Sequence, residues 1–145
     1  RRHGRDDRRE ERNVNALVLH FFRRVMLWLG HYGWTLNMRT GHDSYCWLQA
    51  KRIDLGMDYN GDVRQILIHE IAHIGTARFC NQKHNETFWR HAEELTRRFL
   101  GCELDENQRR HRAWTGGGIY ALCYMQNAGL HLTSEAQHNK KGLTS

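Results

Sequence analysis

The sequence predicts an α+β fold in which an N-terminal helix precedes a small antiparallel sheet of two to four strands, and further helices follow. Apolar residues recur at helical spacing before residue 30 and after residue 62, and they alternate with polar residues in between. A chain of 145 residues fits a single core. We therefore expect one domain over residues 13–125, a disordered or frayed charged tail at 1–12 and a polar tail at 126–145.

The first predicted helix begins at an Asn13 cap and ends at Gly30. Its buried stripe is expected to contain Val14, Leu17, Val18, Phe21, Val25, Trp28 and Leu29. Arg23 and Arg24 lie off this stripe. Because such charges are costly inside a bilayer, we expect no membrane span here.

Three strands are predicted after this helix, at Trp34–Arg39, Tyr45–Ala50 and Lys51–Met57. The third is the clearest, because Ile53 and Leu55 alternate with polar neighbours. It leads directly into the next helix, and we expect it to lie at the edge of the sheet.

The second predicted helix begins after Asp62, with Gln65 three residues later at the spacing of a capping box, and it ends near Gly75. Its packing face is expected to be formed by Val63, Ile66 and Ile74. The next helix runs from about Asn85 to Leu100, ends at Gly101, and carries an apolar stripe of Phe88, Ala92, Leu95, Thr96 and Phe99. Leu104–Arg112 is a polar predicted helix, Gly116–Gly118 breaks the chain, and Ile119–Met125 is apolar without a predicted type.

The second predicted helix contains an H-E-x-x-H motif, His69-Glu70-Ile71-Ala72-His73. Residues four apart share one face of a helix, so His69 and His73 can hold one metal ion. Glu70 then lies beside the metal, where a general base can take a proton from water. The competing interpretation is two core histidines and a surface glutamate.

The third predicted ligand is His84, which opens the following helix 11 residues after His73. Three protein ligands and a water form the open tetrahedral site of a catalytic zinc, and we expect one Zn²⁺ per chain. Glu93 and Glu94 are rival carboxylate ligands. Tyr59, Tyr120 and Tyr124 are candidate donors to a tetrahedral oxyanion.

Composition bears on partners and compartment. The formal net charge is +6, which favours acidic partners such as nucleic acid. The four cysteines form no C-x-x-C pair, so we expect buried free thiols in a reducing, intracellular compartment, either cytoplasm or nucleus.

From Val14 to Phe99 the chain resembles the SprT-like and WLM zinc metalloproteases, the minigluzincin group. The resemblance is carried by the order of helix, strands and H-E-x-x-H helix, and by His84-Asn85-Glu86-Thr87-Phe88-Trp89, a histidine followed by an aromatic pair. It implies an α+β fold, His69, His73 and His84 as ligands, and Glu70 as catalytic base. It also implies a protein or peptide substrate, which in some members is crosslinked to DNA.

Two other functions remain open on the sequence. One is a nucleic-acid-binding protein with a structural, four-ligand zinc, in which Cys80 or Glu93 is the fourth ligand. The other is a degenerate protease that serves as a scaffold, against which the intact Glu70 argues.

Overall fold

The computed structural model describes residues 2–80 and 82–115, and within them it confirms the predicted α+β class and N-terminal helix. The elements in these ranges are the helices α1 (Arg2–Leu29), α2 (Val63–Cys80), α3 (Glu86–Leu100) and α4 (Glu106–Thr115) and the strands β1 (Thr35–Arg39), β2 (Tyr45–Trp47) and β3 (Arg52–Gly56). The predicted glycine break, the apolar segment after it and the C-terminal tail lie outside the described residues. The chain divides into two compact units, residues 1–74 and 75–145.

Helix α1 begins earlier than predicted. Residues 2–12, for which a disordered tail or a frayed helix start was expected, are helical. The buried face of α1 contains Val18, Phe21, Phe22, Val25 and Met26. The centre of this buried face lies closer to Phe22 and Met26 than the centre of the predicted stripe does. Leu17 and Trp28 lie at its far edge, and Val14 precedes its first residue by one turn, so all three are exposed.

The sheet has the strand order β1-β3-β2. Strand β3 pairs with β2 in antiparallel and with β1 in parallel register. The predicted all-antiparallel sheet is therefore wrong, and so is the predicted edge position of the third strand, which is central. The alternation of apolar residues specifies which side chains face the core, but it carries no information on which neighbour a strand pairs with.

The reason for the mixed sheet is the short connection between β1 and β2, which passes across the end of β3. The backbone amide of Met57 donates to the carbonyl of Arg39 (2.9 Å), and that of Asp58 donates to the carbonyl of Gly41 (3.0 Å). The Gly56 amide donates to Ser44 Oγ (2.9 Å). A Cβ on Gly56 would lie 2.7 Å from the carbonyl oxygens of both Gly41 and Asp43, so the crossing requires glycine here.

Helix α2 begins at the predicted cap, where the amide of Arg64 donates to Asp62 Oδ1 (3.0 Å). It ends at Cys80 rather than near Gly75. Gly75 lies inside the helix, where an added Cβ would be 2.5 Å from Nε2 of His91. The glycine thus permits a close approach of the His91 ring and does not end the helix.

The second unit contains α3 and α4. Asn85 caps α3 by accepting a hydrogen bond from the Phe88 amide (3.0 Å), and Gly101 ends it in the left-handed conformation with φ 67°. The apolar stripe of α3 is confirmed at four of its five positions, while Phe99 is half-buried and Trp89 is fully buried. None of the helices in the described ranges is long and apolar enough to cross a membrane.

Gly56→Ala tests the crossing over β3. The methyl group would meet backbone atoms, which cannot move aside as a side-chain end can, and we expect a loss of about 1–3 kcal/mol in the free energy of unfolding. Urea denaturation measures it. Gly4→Ala is the matched control, because no atom lies within 4 Å of its Cβ position and alanine favours a helix. Equal stability of the two variants would contradict this account of the sheet.

Candidate metal centre

The H-E-x-x-H motif lies in the middle of α2, in a stretch that is buried on every side. The exposed fractions of His69, Glu70 and His73 are 3%, 5% and 5%. Leu67, Ile68 and Ile71 are fully buried around them. The predicted packing face of α2 was wrong, because Val63, Ile66 and Ile74 are only half-buried. A helix with apolar residues all round its circumference is buried as a whole, and its three polar side chains are buried with it.

His69 and His73 are neighbours on α2, as their spacing predicted. Their ring centroids are 5.1 Å apart in an edge-to-face arrangement. Glu70 lies between them in sequence, and burial raises the pKa of its carboxyl to about 8. A cation close to Glu70 would act in the opposite direction, because an opposite charge favours the ionised carboxylate.

A second histidine pair lies in the unit formed by residues 75–145. The ring centroids of His84 and His111 are 4.4 Å apart. His84 precedes α3 and also contacts the rings of Phe88 (5.1 Å) and Trp89 (5.8 Å), while His111 contacts Trp89 edge-on (5.2 Å). The aromatic pair after His84 therefore supports both imidazoles.

An ion-pair cluster holds α4, and with it His111, against α3. The guanidinium of Arg112 donates to Glu86 Oε1 and to Glu93 Oε2, the latter at 2.9 Å. The side chain of Arg112 is 7% exposed. Glu86 and Glu93 are two turns apart on one face of α3, so one arginine fixes α4 at two points. The Trp89 indole adds a hydrogen bond to Thr115 Oγ1 (3.3 Å).

Three histidines offer nitrogens close enough together that they could hold a metal ion. His69, His84 and His111 each offer one nitrogen, and these three nitrogens all lie within 4.8 Å of one another. Two of these residues, His69 and His84, were predicted as ligands from the sequence. His73, the third predicted ligand, is not in this group, and His111 was not predicted. The sequence spacing does not predict that His111 lies near His84. The position of His111 depends on the ion pairs of the neighbouring Arg112 with two glutamates of α3.

The rival ligands lie outside the three-histidine group. Glu93 accepts from Arg112 and pairs with Arg97 at 3.5 Å, so its carboxylate is occupied by cations of the protein. Glu94 is exposed. The Cys80 thiol donates to Asn85 Oδ1 (2.9 Å). Tyr59 is half-buried, and the other two tyrosine candidates lie outside the described residues.

The predicted free thiols are found at Cys46 and Cys80, which are buried, whereas Cys102 is a free thiol exposed to solvent. Cys46 lies on β2, and Cys80 is the last residue of α2.

Arg112→Met tests whether the ion-pair cluster positions α4. The two carboxylates would lose a shared, buried partner, and we expect a loss of about 1–3 kcal/mol in the free energy of unfolding. Arg110→Met is the control, since its side chain is 62% exposed and its pair with Glu106 is a surface pair, expected to change stability by less than about 0.5 kcal/mol. Thermal denaturation of both variants gives the comparison. Equal losses in the two variants would show that Arg112 has no special structural role.

Comparisons of this chain with protein-family models, with curated proteins and with solved structures found no match. Its function is therefore inferred from the chemistry of its own residues.

Proposed function

We propose that this protein is a zinc-dependent peptidase of the SprT-like and WLM kind. The observation that carries the proposal is the group of three histidine nitrogens, one of which belongs to the first residue of an H-E-x-x-H motif. The glutamate of that motif follows directly in sequence and is buried. This combination supplies both metal ligands and a general base.

The donor set fits zinc. Imidazole nitrogens are common zinc ligands, and three of them leave one position of a tetrahedron for water or substrate. A bound Zn²⁺ would lower the pKa of that water and polarise the carbonyl group of a peptide bond. Hard cations such as Mg²⁺ and Ca²⁺ prefer oxygen ligands, which makes them poor candidates here.

Glu70 is proposed as the general base. Its carboxylate would accept a proton from the attacking water and pass it to the leaving amine. His69 precedes it on the same helix, so α2 would position both one of the three ligands and the base. Burial keeps bulk water from competing for the carboxylate.

A peptide substrate can bind as an added strand of the sheet. Strand β3 is paired on both sides, so within residues 2–80 and 82–115 the outer edges of the sheet are those of β1 and β2. The net charge of +6 suits substrates that are associated with or crosslinked to DNA.

A second candidate function is a nucleic-acid-binding protein with a structural zinc. The observation in its favour is that His73, which lies next to His69 on α2 with the ring centroids 5.1 Å apart, can be considered as a fourth ligand beside the three-histidine group. If all four bind, the tetrahedral site is closed and no water can be activated. Neither Cys80 nor Glu93 is needed as the fourth ligand in this arrangement.

We expect the purified protein to contain about one zinc per chain and His84→Ala and His111→Ala to bind it far more weakly. Loss of a direct ligand should lower the zinc affinity by more than loss of a residue that only hydrogen-bonds to a ligand, which typically lowers it about 10- to 100-fold. Metal content after dialysis and calorimetric zinc titration measure this. His20→Ala, at an exposed position of α1, is the control and should bind normally.

His73→Ala separates the two functions. Weakened zinc binding in each of His69→Ala, His73→Ala, His84→Ala and His111→Ala would support the closed, structural site. Normal binding in His73→Ala, with loss in the other three variants, would leave an open site and support catalysis. A folded wild-type protein that takes up no zinc would refute both.

Glu70→Gln should lower the hydrolysis of a fluorescent casein substrate by at least about 100-fold, because the amide cannot accept a proton. Zinc content should be unchanged, since Glu70 is not a ligand in this proposal. Glu11→Gln, on the exposed part of α1, should retain full activity. Equal turnover by Glu70→Gln and the wild type would refute the assignment of the base, and a wild type without turnover would favour the structural or scaffold role.

A further inference from the structure

The solvent side of the three-stranded sheet carries exposed aromatic and cationic side chains. Cross-strand partners share a face of a sheet, and the register places Thr35, Arg52 and Trp47 in one row and Asn37, Asp54 and Tyr45 in the next. Ile53 and Leu55 point to the opposite side and are fully buried. We call the solvent side, defined by Arg39, Tyr45, Trp47, Arg52 and Asp54, the aromatic face.

Two aromatic rings lie side by side on strand β2. Tyr45 and Trp47 are 47% and 46% exposed, and their ring centroids are 5.9 Å apart with an interplanar angle of 42°. Neither ring belongs to the core. Exposed aromatic side chains that occur together, rather than singly, are typical of binding surfaces.

A guanidinium lies over each ring. Cζ of Arg39 is 5.6 Å from the centroid of Tyr45, and Cζ of Arg52 is 5.8 Å from the centroid of Trp47. Both distances are within the range of cation–π attraction. Each aromatic side chain is thus accompanied by a positive group that can bind an anion.

Asp54, which is buried beneath these side chains, holds them in place through hydrogen bonds. It accepts hydrogen bonds from Trp47 Nε1 (2.8 Å), Asn37 Nδ2 (3.2 Å) and Arg52 Nε (3.0 Å), and it lies 3.9 Å from Arg39. Burial by itself raises the pKa of Asp54, but these hydrogen bonds and the Arg52 charge together hold it below its usual range. One carboxylate therefore balances one of two guanidiniums, and the face keeps a net positive charge.

We propose that the aromatic face binds single-stranded nucleic acid, with bases stacked on Tyr45 and Trp47 and phosphates paired with Arg39 and Arg52. Bases of a single strand have free π faces, while those of a duplex are stacked on one another. Each ring is accompanied by a guanidinium, as each base of a nucleic-acid strand is accompanied by a phosphate. The two exposed rings favour this partner over an acidic peptide, which matches the charge of the face but offers no series of flat rings. This inference is independent of zinc and of catalysis.

The test is fluorescence anisotropy of labelled dT12 and rU12 with the full chain at low salt. Tyr45→Ala should weaken binding by about 5- to 100-fold, the usual effect of removing one stacking partner. Arg39→Ala should weaken binding and reduce the salt dependence by about one phosphate contact. Tyr32→Ala and Arg23→Ala are the matched controls, because both residues are exposed and neither lies on the sheet, and they should bind as the wild type does.

Circular dichroism of each variant establishes that it is folded, and neither Tyr45 nor Arg39 is in the core. Loss of affinity in Tyr45→Ala and Arg39→Ala, but not in the controls, supports the proposal, as does a preference for dT12 over the duplex of the same length. The proposal would be overturned by no binding of either oligonucleotide at low salt, by equal affinity for duplex, or by equal affinity of Tyr45→Ala and Tyr32→Ala. Equal binding of a poly-glutamate probe would also overturn it, by identifying a site for any polyanion.

Discussion

The burial of polar side chains inside α2 is the constraint on which the proposed centre depends. His69, Glu70 and His73 are at most 5% exposed in a stretch that is otherwise apolar. Burial makes the ionised form of Glu70 costly and raises the pKa of its carboxyl to about 8. A cation bound to the imidazoles beside Glu70 would offset part of this cost, because metal binding to the folded state adds directly to its stability. If the centre binds a metal ion, removal of that ion is expected to destabilise the protein.

The second histidine pair is positioned differently. His84 precedes Asn85, the residue that caps the start of α3. The position of His84 is therefore determined by residues that are close to it in sequence. His111 is on α4, and Arg112 next to it is held by two glutamates of α3. An arginine with two carboxylate partners allows little rotation of its helix, which keeps the adjacent imidazole directed at His84.

The sequence was sufficient for the parts of the structure that depend on local patterns. The Asp62 cap, the three strands and the position of the motif on one helix follow from spacing of three, four or two residues. The order of the strands did not, because it depends on a loop that crosses β3 and requires Gly56. The buried face of α1 was predicted with a rotational error, since hydrophobicity alone made Leu17 and Trp28 equivalent to Phe22 and Met26. His111 was missed for a similar reason, as its place depends on Arg112 and two glutamates distant in sequence.

The crossing of β3 by the β1–β2 connection also has a consequence for the order of folding. Trp47 and Arg52 pair across 5 residues, whereas Thr35 and Arg52 pair across 17 residues. The entropy lost on closing the longer loop adds about 1 kcal/mol to the cost of the first β1–β3 contact. The β2–β3 hairpin is therefore expected to form first, and β1 to join it afterwards. The two aromatic residues of β2 would then be in place before the sheet is complete.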